Sequence, residues 1–179
     1  MVSYIKNIVS VDECKILLDK FYEEKKRNRY NIDLDIPIVD SGANSYGFGL
    51  VKFFDEYVEK LKPVVKNIIN DKEIRIENFN AYIREYRNGS HLEKHKDKDS
   101  INITISVCLQ KTNKEWPLYF LIDGNQIGYD IKVGDALVII DSNKFEHWRD
   151  TLVCGENESV VQLYLMYKKD KLKNKKTLF

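Results

Sequence analysis

The chain has 179 residues and a mass of 21.1 kDa, the size of one domain able to bury roughly 70% of its unfolded surface without a disulfide or metal staple. Hydrophobic residues at 43% and aromatics at 12%, with only three prolines and eight glycines, exclude a disordered, collagenous or linker-like chain. Lys and Arg number 29 against 28 Asp and Glu, a formal charge of +1, so the chain lacks the global basic field of nucleic-acid binders, and nucleic acid is not the expected partner.

The opening residues carry no secretory signal, because Ser3, Lys6 and Asn7 interrupt any apolar core, and no apolar run nears the ~18 residues of a membrane span. Ser10-Val11-Asp12-Glu13 is a capping box that starts a helix. Behind it Cys14, Leu17, Leu18, Phe21 and Tyr22 recur at helical spacing, and Glu23 to Arg29 closes the helix with basic residues at its end. Residues 30 to 49 read as a long loop, marked by Pro37, Asp40-Ser41-Gly42 and Tyr46-Gly47-Phe48-Gly49. A second helix is expected over about 50 to 70, with Phe54, Val58, Leu61, Val65 and Ile68 on one stripe and Pro63 kinking or splitting it.

From about residue 74 the period changes to two. Strands are expected at 74–76, 78–86, 101–109, 118–122, 126–131, 135–141, 145–152 and 159–167, with turns at Asn88-Gly89, Asp123-Gly124, Val133-Gly134 and Cys154-Gly155. The fold class is α+β and mainly β: a sandwich or barrel behind two N-terminal supporting helices. The chain reads as one domain, 1–179, with helical support over 1–75, a β core over 76–167 and a basic tail over 168–179. That tail holds six Lys and one Asp and reads as a solvated end. Cys14, Cys108 and Cys154 are odd in number and form no CxxC pair, which points to a reducing compartment, the cytoplasm.

There are three histidines, His91, His95 and His147. His95 and Asp97 follow the Asn-Gly turn into a new strand, where residues i and i+2 share a face. His147 opens a strand fifty residues later that can pair beside the first. Two imidazoles and one carboxylate that leave coordination positions open are the ligand set of non-haem Fe(II) oxygenases. Two other readings use His91: an HxxxH pair with His95 on a helix, which the Asn-Gly-Ser start opposes, and a His91-x-Glu93 pair.

In these residues the sequence resembles the Fe(II)/2-oxoglutarate-dependent oxygenase superfamily, most closely its prolyl-4-hydroxylase-like branch. The shared pattern is Tyr86, Gly89, His95-Lys-Asp97, then Gly134-Asp135-Ala136-Leu137-Val138-Ile139-Ile140 and His147, within residues 79 to 167. The resemblance implies a double-stranded β-helix (jelly roll, cupin-like) that binds Fe(II), 2-oxoglutarate and O2. Its reaction couples decarboxylation of 2-oxoglutarate, to succinate and CO2, to hydroxylation of a substrate. It makes His95, Asp97 and His147 the metal ligands and Tyr86 a cosubstrate-binding residue, and the retained Asp97 departs from the halogenase variant.

The family's cation for the distal carboxylate of 2-oxoglutarate, nine to twelve residues after the distal His, is missing: Glu156-Asn157-Glu158-Ser159 stands there. By strand parity Arg84, which shares a face with Tyr82 and Tyr86, and Arg149, which shares one with His147, are the replacements, with Lys111 third. Trp116-Pro117 reads as a packing corner. The expected substrate is a small molecule or a peptide. A cupin-like metalloenzyme that does not use 2-oxoglutarate, which the missing cation favours, and a jelly-roll binding module without activity are the alternatives.

Overall fold

Helix α1 (Val11–Arg27) begins at the expected box: the Glu13 amide donates to Ser10 Oγ at 3.2 Å and the Ser10 amide to Glu13 Oε2 at 3.0 Å. The structure is a computed structural model and describes residues 1–27, 45–49, 52–70 and 74–171. Before α1 runs strand β1 (Val2–Ile5). After it come β2 (Ser45–Gly49), α2 (Lys52–Ile69), β3 (Ile74–Tyr86), β4 (Leu92–His95), β5 (Ile103–Gln110), β6 (Leu118–Ile122), β7 (Asn125–Tyr129), β8 (Ala136–Ile140), β9 (His147–Arg149) and β10 (Val160–Lys171).

The strands form two antiparallel sheets. The major sheet has the order β1-β8-β5-β10-β3-β2 and the minor sheet the order β4-β9-β6-β7. Strict alternation sorts the side chains of the central strands into two layers. Ile103, Ile105, Val107 and Leu109 of β5, with Leu163, Leu165 and Tyr167 of β10, pack against Leu17 and Phe21 of α1 and Val58, Leu61 and Val65 of α2. The intervening residues face the other way: Cys108, Leu137 and Ile139 meet Leu118 and Phe120 of the minor sheet. Each buried aliphatic or Phe side chain contributes about 1.5–3 kcal/mol of transfer free energy. A sheet buried on both faces explains why β8 reads as a continuous apolar run.

Several elements depart from the sequence reading. β1 is a strand where none was expected, and its partner explains it. Tyr4 Oη donates to Asp135 Oδ2 at 2.7 Å and the Asn7 amide to Asp135 Oδ1 at 2.8 Å, so Asp135 ties the N-terminal segment to the start of β8. Tyr46-Gly47-Phe48-Gly49 is no loop but lies in β2, whose ladder runs from Ser45↔Tyr86 to Gly49↔Tyr82. The rest of the expected loop, residues 28–44, lies outside the described residues. The expected strands 74–76 and 78–86 are one strand, β3. Helix α2 runs through Pro63 without being split. Burial of Val58, Leu61 and Val65 on either side of it offsets the roughly 3 kcal/mol cost of an interior proline. β10 extends to Lys171 by pairing with Ile74–Glu77, so the first four residues of the expected tail belong to the sheet; residues 172–179 lie outside the described ones.

The turns hold as read. Asp123 (φ 50°) and Gly124 (φ 79°) make the tight β6–β7 connection. Gly134 (φ 84°) passes so close to the Val9 carbonyl that a Cβ would stand 2.5 Å from it. No helix among the described residues is long and apolar enough to cross a membrane.

Candidate metal centre and cosubstrate pocket

His95 and His147 stand directly opposite each other in the β4–β9 ladder, with ring centroids 4.3 Å apart. Asp97 lies two residues beyond the end of β4, on the same side. One donor atom from each of the three lies within 4.8 Å of the other two, and His147 Nε2 is 3.9 Å from Asp97 Oδ1.

The two imidazoles are oriented in the same way. His95 Nδ1 lies 2.7 Å from the Glu93 carbonyl and His147 Nδ1 lies 3.0 Å from the Phe145 carbonyl. A carbonyl oxygen only accepts, so each Nδ1 carries the proton and each neutral ring keeps its lone pair on Nε2. Burial pushes the His147 imidazole below its ordinary value, against the opposing pull of Asp97. Phe120 stacks on the His147 ring with centroids 5.7 Å apart. His91 does not join the group: β4 is a strand, so the helical HxxxH pair is not formed, and His91 and Glu93, paired at 2.9 Å, belong to no group of three potential ligands among the described residues.

The three side chains border a pocket between the sheets. Leu92, Leu118, Ile139 and Met166 give it an apolar wall. Its polar side comes from the inward-facing residues of β3, β5 and β10: Tyr82, Arg84, Tyr86, Thr104, Ser106 and Tyr164. Tyr86 and Tyr164 share a hydrogen bond of 2.8 Å between hydroxyls, which uses one of their two protons and leaves the other to donate. Burial holds the Tyr82 and Tyr164 hydroxyls far above the ordinary tyrosine value, so both stay protonated.

Of the residues singled out in the sequence, His95, Asp97, His147, Tyr86 and Arg84 therefore share one cavity. Arg84 is 2% exposed, donates from Nη2 to Ser45 Oγ at 2.9 Å and lies over the Tyr86 ring at 5.0 Å. Arg149 is not on the cavity wall but directly behind it. Its guanidinium lies 4.5 Å over the Trp116 ring, which meets Tyr86 edge-on at 5.0 Å, and its Nη1 donates to the Trp116 carbonyl. Nε and Nη2 of Arg149 are buried and have no hydrogen-bond partner among the described residues. Lys111 is instead paired with Asp130.

Sequence reasoning missed Tyr164, Thr104 and Ser106, and read Trp116 as packing alone. Trp116 does pack, at 5% exposure, and it also carries Arg149. Strand parity was the available signal for the other three. Tyr164 pairs with Tyr82 on one side and Ser106 on the other, so one inward-facing residue implies its neighbours once the register is known.

No protein-family model and no curated protein matches the chain in sequence. Solved structures do match its fold. A prolyl-4-hydroxylase from Pseudomonas putida matches with a TM-score of 0.70 and 14% identity, over 93% of this chain and 91% of that one. HygX from Streptomyces hygroscopicus, solved with nickel and 2-oxoglutarate bound, gives 0.68 and 11% over 93% and 82%. The viral collagen prolyl hydroxylase of Paramecium bursaria Chlorella virus-1, solved as a 2-oxoglutarate complex, gives 0.65 and 15% over 93% and 94%. The chain shares the fold of these 2-oxoglutarate-dependent oxygenases.

Proposed function

We propose that the protein is an Fe(II)- and 2-oxoglutarate-dependent oxygenase that hydroxylates a small-molecule or peptide substrate. The observation that carries this reading is the convergence of His95, Asp97 and His147, with both imidazoles oriented to present Nε2. Two neutral nitrogens and one carboxylate suit a divalent iron and leave further positions for other ligands. Iron held there supplies a site for 2-oxoglutarate and dioxygen and the redox chemistry that links decarboxylation to substrate oxidation.

The chain's own groups do the rest. The apolar wall of Leu118, Ile139 and Met166 excludes water from the aliphatic part of the cosubstrate. The Tyr86–Tyr164 pair offers its spare hydroxyl proton to a carboxylate. A guanidinium must neutralise the distal carboxylate, because a buried unpaired charge costs several kcal/mol. We assign that role first to Arg149, whose two buried nitrogens lack partners among the described residues and whose charge bears on the Tyr164 hydroxyl. Arg84, on the cavity wall, is the second candidate.

The alternative of a metalloenzyme without 2-oxoglutarate drew its support from the missing cation after His147. Two buried arginines beside the cavity remove that support. We further read the chain as one domain, a double-stranded β-helix over 76–167 joined by β1 and β2 and supported by α1 and α2. The free Cys14, Cys108 and Cys154 accord with a cytoplasmic location. The test is aerobic incubation with Fe(II) and 2-oxoglutarate. Succinate is expected to form slowly without substrate and not at all with His95→Ala or Asp97→Ala. Equal succinate from wild type and both variants would overturn the reading.

A further inference from the structure

Asp97 is reached from the major sheet by one hydroxyl. Thr104 of β5 is 5% exposed, and its Oγ1 donates to Asp97 Oδ2 at 3.0 Å. The other carboxylate oxygen, Oδ1, is the one that faces His147 Nε2 at 3.9 Å. The two oxygens of one carboxylate are thus divided between Thr104 of the major sheet and His147 of the minor sheet.

The surroundings commit the Thr104 proton to that bond. Ser142 Oγ lies 3.4 Å from Thr104 Oγ1, and Ser142 is fully buried. Ser142 has its own acceptor, the Ile101 carbonyl at 3.3 Å, while a carboxylate accepts a hydroxyl proton more strongly than another hydroxyl does. The backbone also holds Thr104 in place. It lies in the middle of the major sheet, opposite Ile139 on one side and Met166 on the other, and its β-branched side chain has few rotamers there.

We propose that Thr104 is a positioning residue for the metal centre: its hydroxyl holds Asp97 Oδ2 away from the His95 and His147 nitrogens, so that Asp97 offers one oxygen, Oδ1, to the cation. The inference rests on the metal-site reading above and deepens it. A carboxylate without this bond is free to turn about its terminal torsion and offer both oxygens or neither. With it, Asp97 occupies one coordination position and the remaining ones stay open for cosubstrate and oxygen.

The experiment is Mn(II) binding to metal-free protein, followed by the loss of the free-ion electron paramagnetic resonance signal. Mn(II) is the probe because it takes the same ligands without oxidising. Thr104→Val is expected to weaken Mn(II) binding roughly 10–100-fold, the range typical of lost outer-shell partners. Thr104→Ser keeps the hydroxyl and is expected to restore wild-type affinity. Thr104→Ala carries the same expectation as the valine variant, so either one serves if the other fails to fold. Ser142→Ala, which leaves the bond to Asp97 in place, is expected to bind as wild type does. Wild-type affinity in Thr104→Val or Thr104→Ala, or an equal loss in Ser142→Ala, would overturn the positioning role while leaving the metal site intact. Absence of Mn(II) binding by the wild-type protein would overturn the metal reading and this inference with it.

Discussion

His95 and His147, fifty-two positions apart in sequence, face each other as a direct cross-strand pair, and each is locked by a hydrogen bond from Nδ1 to the carbonyl two residues before it. The two locks are the same local device on two strands. They need no distant partner, so each strand brings its histidine to the ladder already turned toward the other. Loss of either imidazole should weaken binding of Mn(II) by more than the roughly 100-fold upper range seen for outer-shell partners. Calorimetry on His95→Ala and His147→Ala checks this, with the melting temperature of the metal-free protein showing whether the fold survives.

The two arginines are separable by cosubstrate affinity. A charge-assisted hydrogen bond to a carboxylate contributes about 1.5–3 kcal/mol, or roughly 10–150-fold. Arg149→Gln should therefore raise the dissociation constant of 2-oxoglutarate by that factor in the Mn(II)-loaded protein. Arg149→Lys should fall between, since it keeps the charge and loses the planar fork. Arg84→Gln should have the smaller effect. The reverse order would transfer the distal carboxylate to Arg84.

Asp135 belongs to the Gly-Asp-Ala motif, yet its carboxylate is spent on the fold. It accepts from Tyr4 Oη and from the Asn7 amide, and it is 5% exposed. Asp135→Ala strands both donors and should destabilise the protein by roughly 2–4 kcal/mol. At about 2–4 °C per kcal/mol for a chain of this size, the melting temperature should fall by roughly 5–15 °C. Mn(II) affinity measured below the transition should be unchanged.

Glu13 gives the acid limb of stability a defined window. Its bond from Lys60, helped by those from the Ser10 amide and hydroxyl, holds its carboxyl down at about 2, against an ordinary value of 4.5. A depressed acid stabilises the fold above its unfolded value, and that contribution is lost as pH falls from about 4.5 to about 2. Wild type should exceed Glu13→Gln in stability at neutral pH, and the two should converge across that window in urea titrations. The pair is half exposed, so the difference should also shrink with added salt.

Local patterns were legible where the chemistry is local. The capping box of Ser10 and Glu13, the positive-φ turns at Asp123-Gly124 and Gly134, and the strand patterns of β5 and β8 each follow from neighbours within a few residues. The cluster of His95, Asp97 and His147 was legible for a similar reason, since two members stand two residues apart and the third opens a strand. What was missed depends on partners far along the chain. β1 is short and carries Ser3, and only its pairing with β8 and the Asp135 anchor hold it as a strand. β2 contains two glycines, and it is a strand because β3 offers it an edge. Thr104, Tyr164 and the seat of Arg149 on Trp116 require the register between strands, which no window of sequence contains.

On the proposed reading, His95, Asp97 and His147 hold one iron to which 2-oxoglutarate also binds. The most direct measurement is the visible absorption spectrum under anaerobic conditions as 2-oxoglutarate is added to protein with one equivalent of Fe(II). An iron-to-ligand charge-transfer band is expected to grow and saturate in the wild type and to be absent from His95→Ala, Asp97→Ala and His147→Ala. No band in folded wild-type protein, or an undiminished band in the three variants, would mean that these side chains do not hold an iron that binds 2-oxoglutarate.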